Sequence, residues 1–149
     1  MTTHTYASSL SWSGLTADYD GYSRQHDITM SGTTVTTSAD AAFRGDAALP
    51  NPEQYVVAAA SSCQLLSFLA VAARAGVEVL EYHDEAEGIM PEGERPMRLT
   101  RIVLRPRIVV QGAVTVERVE RLLHRAHEQC YIANSLTTEV SLEPVIELR

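Results

Sequence analysis

Apolar positions along this chain change their spacing from one region to the next, and each spacing predicts a different element. No charge occurs between Glu53 and Arg74, a run in which alanine, valine and leucine dominate. Start and stop signals bound it: Asn51 as N-cap, Pro52 at the first helical position, Gln54 where a capping box wants Glu or Gln, and Gly76 beyond the end. The pattern predicts one long helix, apolar nearly all round, which a soluble protein must wrap with other elements.

Residues 77 to 90 and 97 to 110 alternate apolar and polar side chains around the turn PEGERP and are read as a β-hairpin. With Glu87 opposite Arg101, His83 faces Arg105 and Glu81 faces Arg107. That is a solvated ladder of charge, and it leaves Leu80 and Tyr82 against Ile102, Leu104 and Ile108 on the covered face. Helical spacing returns with Val116, Val119, Leu122, Leu123 and Ala126. Thr115 caps this second helix, which ends near Cys130, with Asn134 and Ser135 to terminate it. TEVSLEPVIEL closes the chain as a strand. Residues 3 to 37, rich in Thr, Ser and Tyr and punctuated by Gly14, Gly21 and Gly32, predict a two- or three-stranded meander, and 38 to 50 a loop. Strands, helix, hairpin, helix, strand is an α+β order without βαβ alternation. A length of 149 residues fits a single domain, 1–149.

Composition narrows the function classes. The net charge is −7 and all twelve basic residues are arginine, so the basic footprint of a nucleic-acid binder is missing and an anionic membrane surface is a poor partner. The uncharged run is long enough to cross a bilayer. Gln54, Ser61, Ser62, Gln64 and Ser67 interrupt it, however, and alanine is commoner in it than leucine, so a buried helix is the better reading. The first residues carry no basic segment followed by an apolar one, and a cytoplasmic location is expected. In that reducing setting the two cysteines, Cys63 and Cys130, are not expected to form a permanent staple.

For Cys63 two readings stand. It is a small core hydrophobe packed beside Ala59 and Leu66, or it is a reactive thiol in a pocket signalled by its neighbours Ser61, Ser62 and Gln64. A nucleophilic thiol must ionise, and a mid-helix position in apolar surroundings opposes ionisation, so a cation has to come from elsewhere. Arg44 in FRGD and Arg24 in YSRQHD are the candidates, either of them held by Glu53; otherwise they are surface arginines, and Glu53 is a carboxylate favoured by the helix dipole. Cys130 is likewise a core cysteine or a second thiol. His124, His127 and Cys130 fall at i, i+3 and i+6. Steps of about 100° carry the third away from the first, so they make at most a two-residue metal clamp.

NPEQYVVAAASSCQLLSFLAVAARAGV resembles the cysteine-bearing central helix of the OsmC/Ohr family, the osmotically inducible and organic hydroperoxide resistance proteins, and HEQCYIANSL resembles that family's second cysteine motif. The likeness covers roughly residues 43 to 148 in order of elements. It implies an OsmC-like fold in an intertwined homodimer, with a thiol peroxidase activity toward organic hydroperoxides that serves oxidative stress defence without haem, flavin or metal. Carried over to this chain, Cys63 is implied to be the peroxidatic cysteine, Cys130 the resolving one, and Glu53 the carboxylate that orients an arginine. Leu15-Thr16 occupies one of the two regions where the family places that arginine, which leaves Arg44 first and Arg24 second. Tyr131 stands where proline is usual, and Gln64 where an aromatic residue often follows the cysteine. The implied cycle runs through a Cys63 sulfenic acid and a Cys63–Cys130 disulfide that a dithiol, a lipoyl group or a small thiol, reduces. Leu65, Leu66 and Phe68 would favour a fatty or aromatic hydroperoxide. Glu53 and Cys63 are ten residues apart, about 15 Å along a helix, so a pocket using both would draw the carboxylate from a partner chain or bridge the gap with long side chains. The competing function is a non-catalytic stress protein of the same fold that binds a small apolar ligand between subunits.

Overall fold

In the computed structural model, which describes residues 1–149, the long helix α1 runs from Pro52–Arg74 between the two signals that predicted it. Asn51 Oδ1 accepts the Gln54 N–H at 2.9 Å and Gln54 Oε1 accepts the Asn51 N–H at 3.0 Å, a complete capping box. At the other end Gly76 adopts φ 68°, its N–H reaches the Ala73 carbonyl at 3.1 Å, and the Val77 N–H reaches Ala72 at 2.9 Å. That is a Schellman close, and glycine fits it because the left-handed backbone carries no Cβ penalty there.

Contacts gather the chain into two compact units, Met1–Tyr55 and Val56–Arg149. The first is an antiparallel meander, β1 (Ser9–Ser11), β2 (His26–Met30) and β3 (Thr33–Thr37), in the order β1-β2-β3. Ser31 and Gly32, both at positive φ, make the two-residue turn between β2 and β3, a pairing that matches strand twist. A 3-10 turn at Ala41–Phe43 follows, its first free N–H satisfied by Asp40 Oδ1 at 2.7 Å.

The second unit contains β4 (Glu78–Asp84), β5 (Glu87–Ile89), β6 (Arg101–Leu104), β7 (Pro106–Gln111), α2 (Val116–Glu128), the short α3 (Tyr131–Ser135), β8 (Glu139–Leu142) and β9 (Val145–Leu148). Two three-stranded sheets result, β4-β7-β9 and β5-β6-β8; the hairpin pairs are antiparallel, whereas β8 and β9 run parallel to β6 and β7. Each predicted long strand is thus broken in two, and the breaks, at Glu85-Ala86, at Arg105 and at Glu143-Pro144, lie at one level. Arg105 spans this crease: its backbone N–H donates to Asp84 Oδ1 at 2.6 Å and its guanidinium meets Glu87 at 3.0 Å and Glu143 at 3.1 Å.

The hairpin register differs from the predicted one by two residues: Glu87 stands opposite Val103, Ile89 opposite Arg101 and His83 opposite Arg107. A shift of two leaves every side chain on its predicted face. The charge ladder accordingly forms with other partners, Arg107 with Glu147 at 3.0 Å and Arg149 with Glu81 and Glu147, each at 3.1 Å. Leu80 is the exception. The register slips between Val79 and Glu81, and this bulge leaves Leu80 45% exposed while Ile102, Leu104 and Ile108 are fully buried.

The core has two parts. Phe68, Val71 and Ala72 of α1 pack with Val77, Ile108, Val110 and the α2 residues Val119, Leu123 and Ala126; Ala60 packs with Ile102 and Leu104. The buried residues of α1 are Ala60, Gln64, Phe68, Val71 and Ala72, a single stripe, so within one chain the helix is covered on one side only. Its 18-residue apolar window has a mean hydropathy of 1.9, long and apolar enough to cross a membrane by length and composition, and 28% of it is buried.

The capping box yields a direct test. Asn51→Ala removes the acceptor for the Gln54 N–H and should cost about 1 kcal/mol, which lowers Tm by about 2–4 °C in a chain of this size. An unchanged melting curve would mean that the box does not hold the helix start in solution.

Candidate thiol site

The two cysteines, 67 residues apart in sequence, meet in the second unit as free thiols. Cys63 lies on α1 and is partly exposed; Cys130 precedes α3 and is completely buried. Local structure aims the second cysteine. The Cys130 N–H bonds to the His127 carbonyl at 3.1 Å, ending α2, and its own carbonyl accepts from Asn134 at 3.0 Å, starting α3. Asn134 Nδ2 also donates to the Glu128 carbonyl at 3.0 Å, so it closes α2 as its place in the sequence suggests.

The environment drives the two thiols in opposite directions. Burial pushes Cys63 up, yet the Ile132 backbone N–H, the Cys130 thiol, the Tyr131 N–H and the Ser67 hydroxyl together outweigh it and bring its pKa below the ordinary thiol value. Cys130 moves the other way. Burial raises its pKa, backbone hydrogen bonds at Ala133 and Ile132 oppose this, and the neighbouring Cys63 sulfur adds to the rise. The pair is thus shifted in opposite directions, Cys63 down and Cys130 up. The sequence reading asks for a cation near Cys63; within this chain the groups that lower its pKa are hydrogen-bond donors. Ser67 was open to detection, one helical turn after Cys63, whereas the N–H groups of Tyr131 and Ile132 carry no sequence signal, since any residue supplies them.

The other proposed site residues sit as follows. Arg44 pairs with Asp20 at 2.7 Å and lies over the Tyr19 ring. Arg24 donates to the carbonyls of Tyr22 at 2.5 Å and Tyr19 at 2.6 Å, with its guanidinium 3.6 Å from the centre of the Tyr22 ring. Glu53 occupies the first turn of α1 and is ion-paired with neither arginine. Phe68, expected to line a pocket, is fully buried in the core, because five helical positions carry it away from the Cys63 face; Leu66, three positions on, shares that face and is 64% exposed. His124, His127 and Cys130 form no cluster able to hold a metal ion, and no other three His, Cys, Asp or Glu side chains do so. His127 instead turns to Gln64, with Nδ1 and Oε1 3.1 Å apart. Burial keeps its imidazole below the usual histidine range, against a hydrogen bond with the Val140 backbone. The Tyr82 hydroxyl is buried without a partner, and burial, then the charges of Asp84 and Cys130, hold it well above the ordinary phenol range.

The OsmC-like protein family model matches residues 45–145 and so takes in α1, both cysteines and the strands β4 to β8. This chain belongs to the OsmC-like family. An OsmC-like protein of unknown function from Vibrio cholerae is 32% identical and superposes with a TM-score of 0.87, over 96% of this chain and all of that one. Organic hydroperoxide resistance proteins share the fold: that of Elizabethkingia anophelis at a TM-score of 0.72 and 18% identity over 99% of each chain, and OhrB of Bacillus subtilis at 0.63 and 17% over 97% of this chain and 98% of that one. Among curated sequences, the uncharacterized protein YmaD of Bacillus subtilis is 25% identical over 96 residues, 62% of this chain and 64% of its own length. The OsmC-like α+β fold expected from the two cysteine motifs is thereby established.

The opposed shifts predict the order of alkylation. Iodoacetamide should modify Cys63 first, at a pH where Cys130 is still protonated, as read by mass spectrometry across a pH series. Cys130→Ala removes a donor to the Cys63 sulfur and should move the Cys63 profile to higher pH. Equal rates at the two thiols, or a profile that moves down, would contradict this assignment of the proton.

Proposed function

We propose that this chain is a thiol peroxidase for organic hydroperoxides. The observation that carries the reading is the juxtaposition of a partly exposed thiol, its pKa lowered by hydrogen-bond donors, with a completely buried one. The shared fold with proteins named for organic hydroperoxide resistance supports it. The Cys63 thiolate attacks the outer peroxide oxygen; the O–O bond breaks, the alkoxide takes a proton to leave as the alcohol, and Cys63 becomes a sulfenic acid. The Cys130 sulfur then attacks the sulfenic sulfur, forming the disulfide and releasing water with the Cys130 proton. An external dithiol, a lipoyl group or a small thiol, gives two electrons and two protons to restore both thiols. Leu66 on the Cys63 face favours an apolar peroxide over hydrogen peroxide.

The active form in this reading is a homodimer. Ala59, Leu66, Leu69, Ala70 and Ala73 are exposed and, at about 100° per residue, share the face of α1 opposite the buried stripe. An apolar stripe so uncovered calls for a second copy. Glu53 with Arg44 or Arg24 would reach Cys63 in that assembly. A second reading, a non-catalytic binder of a small apolar ligand, draws on the engagement of both arginines with Asp20 and with backbone carbonyls.

Cumene hydroperoxide with a dithiol, and hydrogen peroxide as the control substrate, separates the two. Cys63→Ser should consume no peroxide. Cys130→Ser should consume about one equivalent per site and stop as a sulfenic acid that dimedone labels, drifting to the sulfinic acid in excess peroxide. No turnover with any dithiol would favour the binder. Sedimentation equilibrium should give a dimer that Leu66→Glu dissociates; a fully active wild-type monomer would refute the assembly.

A further inference from the structure

Gln64 is the one side chain of the α1 stripe whose burial chemistry alone disfavours. It is completely buried between the two apolar clusters, where an unpaired carboxamide costs more than the alkyl side chain that would fill the same place. Its polar ends are both engaged with α2: Nε2 donates to the Leu123 carbonyl at 3.3 Å, and Oε1 accepts from His127 Nδ1 at 3.1 Å. His127 is only half-buried, and its ring also meets the backbone of Val140 on β8. The carbonyl of His127 is in turn the acceptor for the Cys130 N–H at 3.1 Å.

These contacts close a circuit. Gln64 is covalently next to Cys63; it bonds to the His127 ring; and the His127 main chain holds Cys130. The two sulfurs are thus linked by a path that contains no sulfur. Neither hydrogen bond is needed to complete the helices: Leu123 lies within α2, and α2 already ends with the Gln129 and Cys130 N–H groups bonded to its last carbonyls.

We infer that the Gln64–His127 pair is a positioning clamp that holds Cys130 against Cys63 and so sets how readily the two thiols join. A disulfide needs β-carbons within about 4 Å. Loss of the clamp leaves the end of α2 free to swing, which lowers the effective concentration of one thiol at the other. The clamp touches neither peroxide nor reductant; Gln64 and His127 are positioning residues. The inference deepens the peroxidase reading, but its main measurement does not require peroxide.

Gln64→Met keeps length and volume and removes both hydrogen bonds; His127→Phe removes the same link from a half-buried site that tolerates change. Each protein is equilibrated with oxidised and reduced dithiothreitol, to which the protein dithiol yields two electrons and two protons, and the disulfide fraction is read by mass. Both variants should disfavour the disulfide about tenfold, a potential about 30 mV higher, and the double variant should add little more, because the two residues act as one unit. Gln64→Glu, which keeps an acceptor for His127, should recover most of the effect. After one equivalent of cumene hydroperoxide, both single variants should accumulate dimedone-reactive Cys63. Wild-type potentials in Gln64→Met and His127→Phe, with melting curves that show both folded, would overturn the clamp. Should Gln64→Met fail to fold, His127→Phe alone decides between the same two results. A wild type that equilibrates with dithiothreitol but consumes no peroxide sinks the peroxidase reading and leaves the potentials to judge the clamp.

Discussion

One stripe of one helix organises the second unit. Ala60, Gln64, Phe68, Val71 and Ala72 are the residues of α1 that the chain itself covers, and both apolar clusters are built on them. The stripe is apolar at its ends and polar in the middle. A buried amide tolerates few arrangements, since each unpaired group is penalised, whereas leucine in its place would accept any neighbour that filled the space. The two hydrogen bonds of Gln64 to α2, with the Leu123 carbonyl and the His127 ring, thus constrain how α2 sits on α1 beside the apolar packing. The sheet is tied to the same helix by another polar contact: the Ser61 hydroxyl donates to Asp84, whose other oxygen takes the Arg105 N–H at the crease.

The difference between the two thiols follows from that arrangement. Chemically identical groups are shifted in opposite directions because hydrogen-bond donors outweigh burial at Cys63, whereas burial and the neighbouring sulfur outweigh the donors at Cys130. The short α3 begins at Cys130, and its first N–H groups, those of Tyr131 and Ile132, have no partner within the helix; they bond to the Cys63 sulfur instead. The residue that terminates one helix thereby starts the next and places its own thiol and two backbone donors around the Cys63 sulfur. Within one chain the groups that lower the Cys63 pKa are hydrogen-bond donors.

Much of this was legible in the sequence wherever local chemistry decides the outcome. The capping box at Asn51 and Gln54, the glycine stop at Gly76 and the Thr115 cap are short-range contacts between residues named in advance. Faces were legible for the same reason, since period 2 and period 3.6 survive any register. What escaped were long-range relations. The two-residue offset of the hairpin keeps each side chain on its face and so leaves no mark on the alternation. The bulge that expels Leu80, the common crease at Arg105 and the role of backbone N–H groups at Cys63 all depend on where other strands and helices arrive. Gln64 was noticed as a polar neighbour of Cys63 and as a departure from a pattern, but not for its contacts, because its partners lie about sixty residues away.

Unequal access to the two sulfurs gives any disulfide between them a direction. An incoming thiolate can reach the sulfur of Cys63, on the partly open face of α1, but not that of Cys130, which has no exposed surface. Reduction must then expel Cys130 as the leaving group, and that thiol has the higher proton affinity, the property that makes a leaving thiolate depart slowly. The bond is thus shielded on one side and reluctant on the other. A monothiol that bonds to Cys63 lingers as a mixed disulfide, whereas a reductant with a second thiol on the same molecule clears it by ring closure. If the two cysteines join, the burial of one of them, with no contact to any reductant, would make the chain discriminate between reductants by the number of sulfurs they carry.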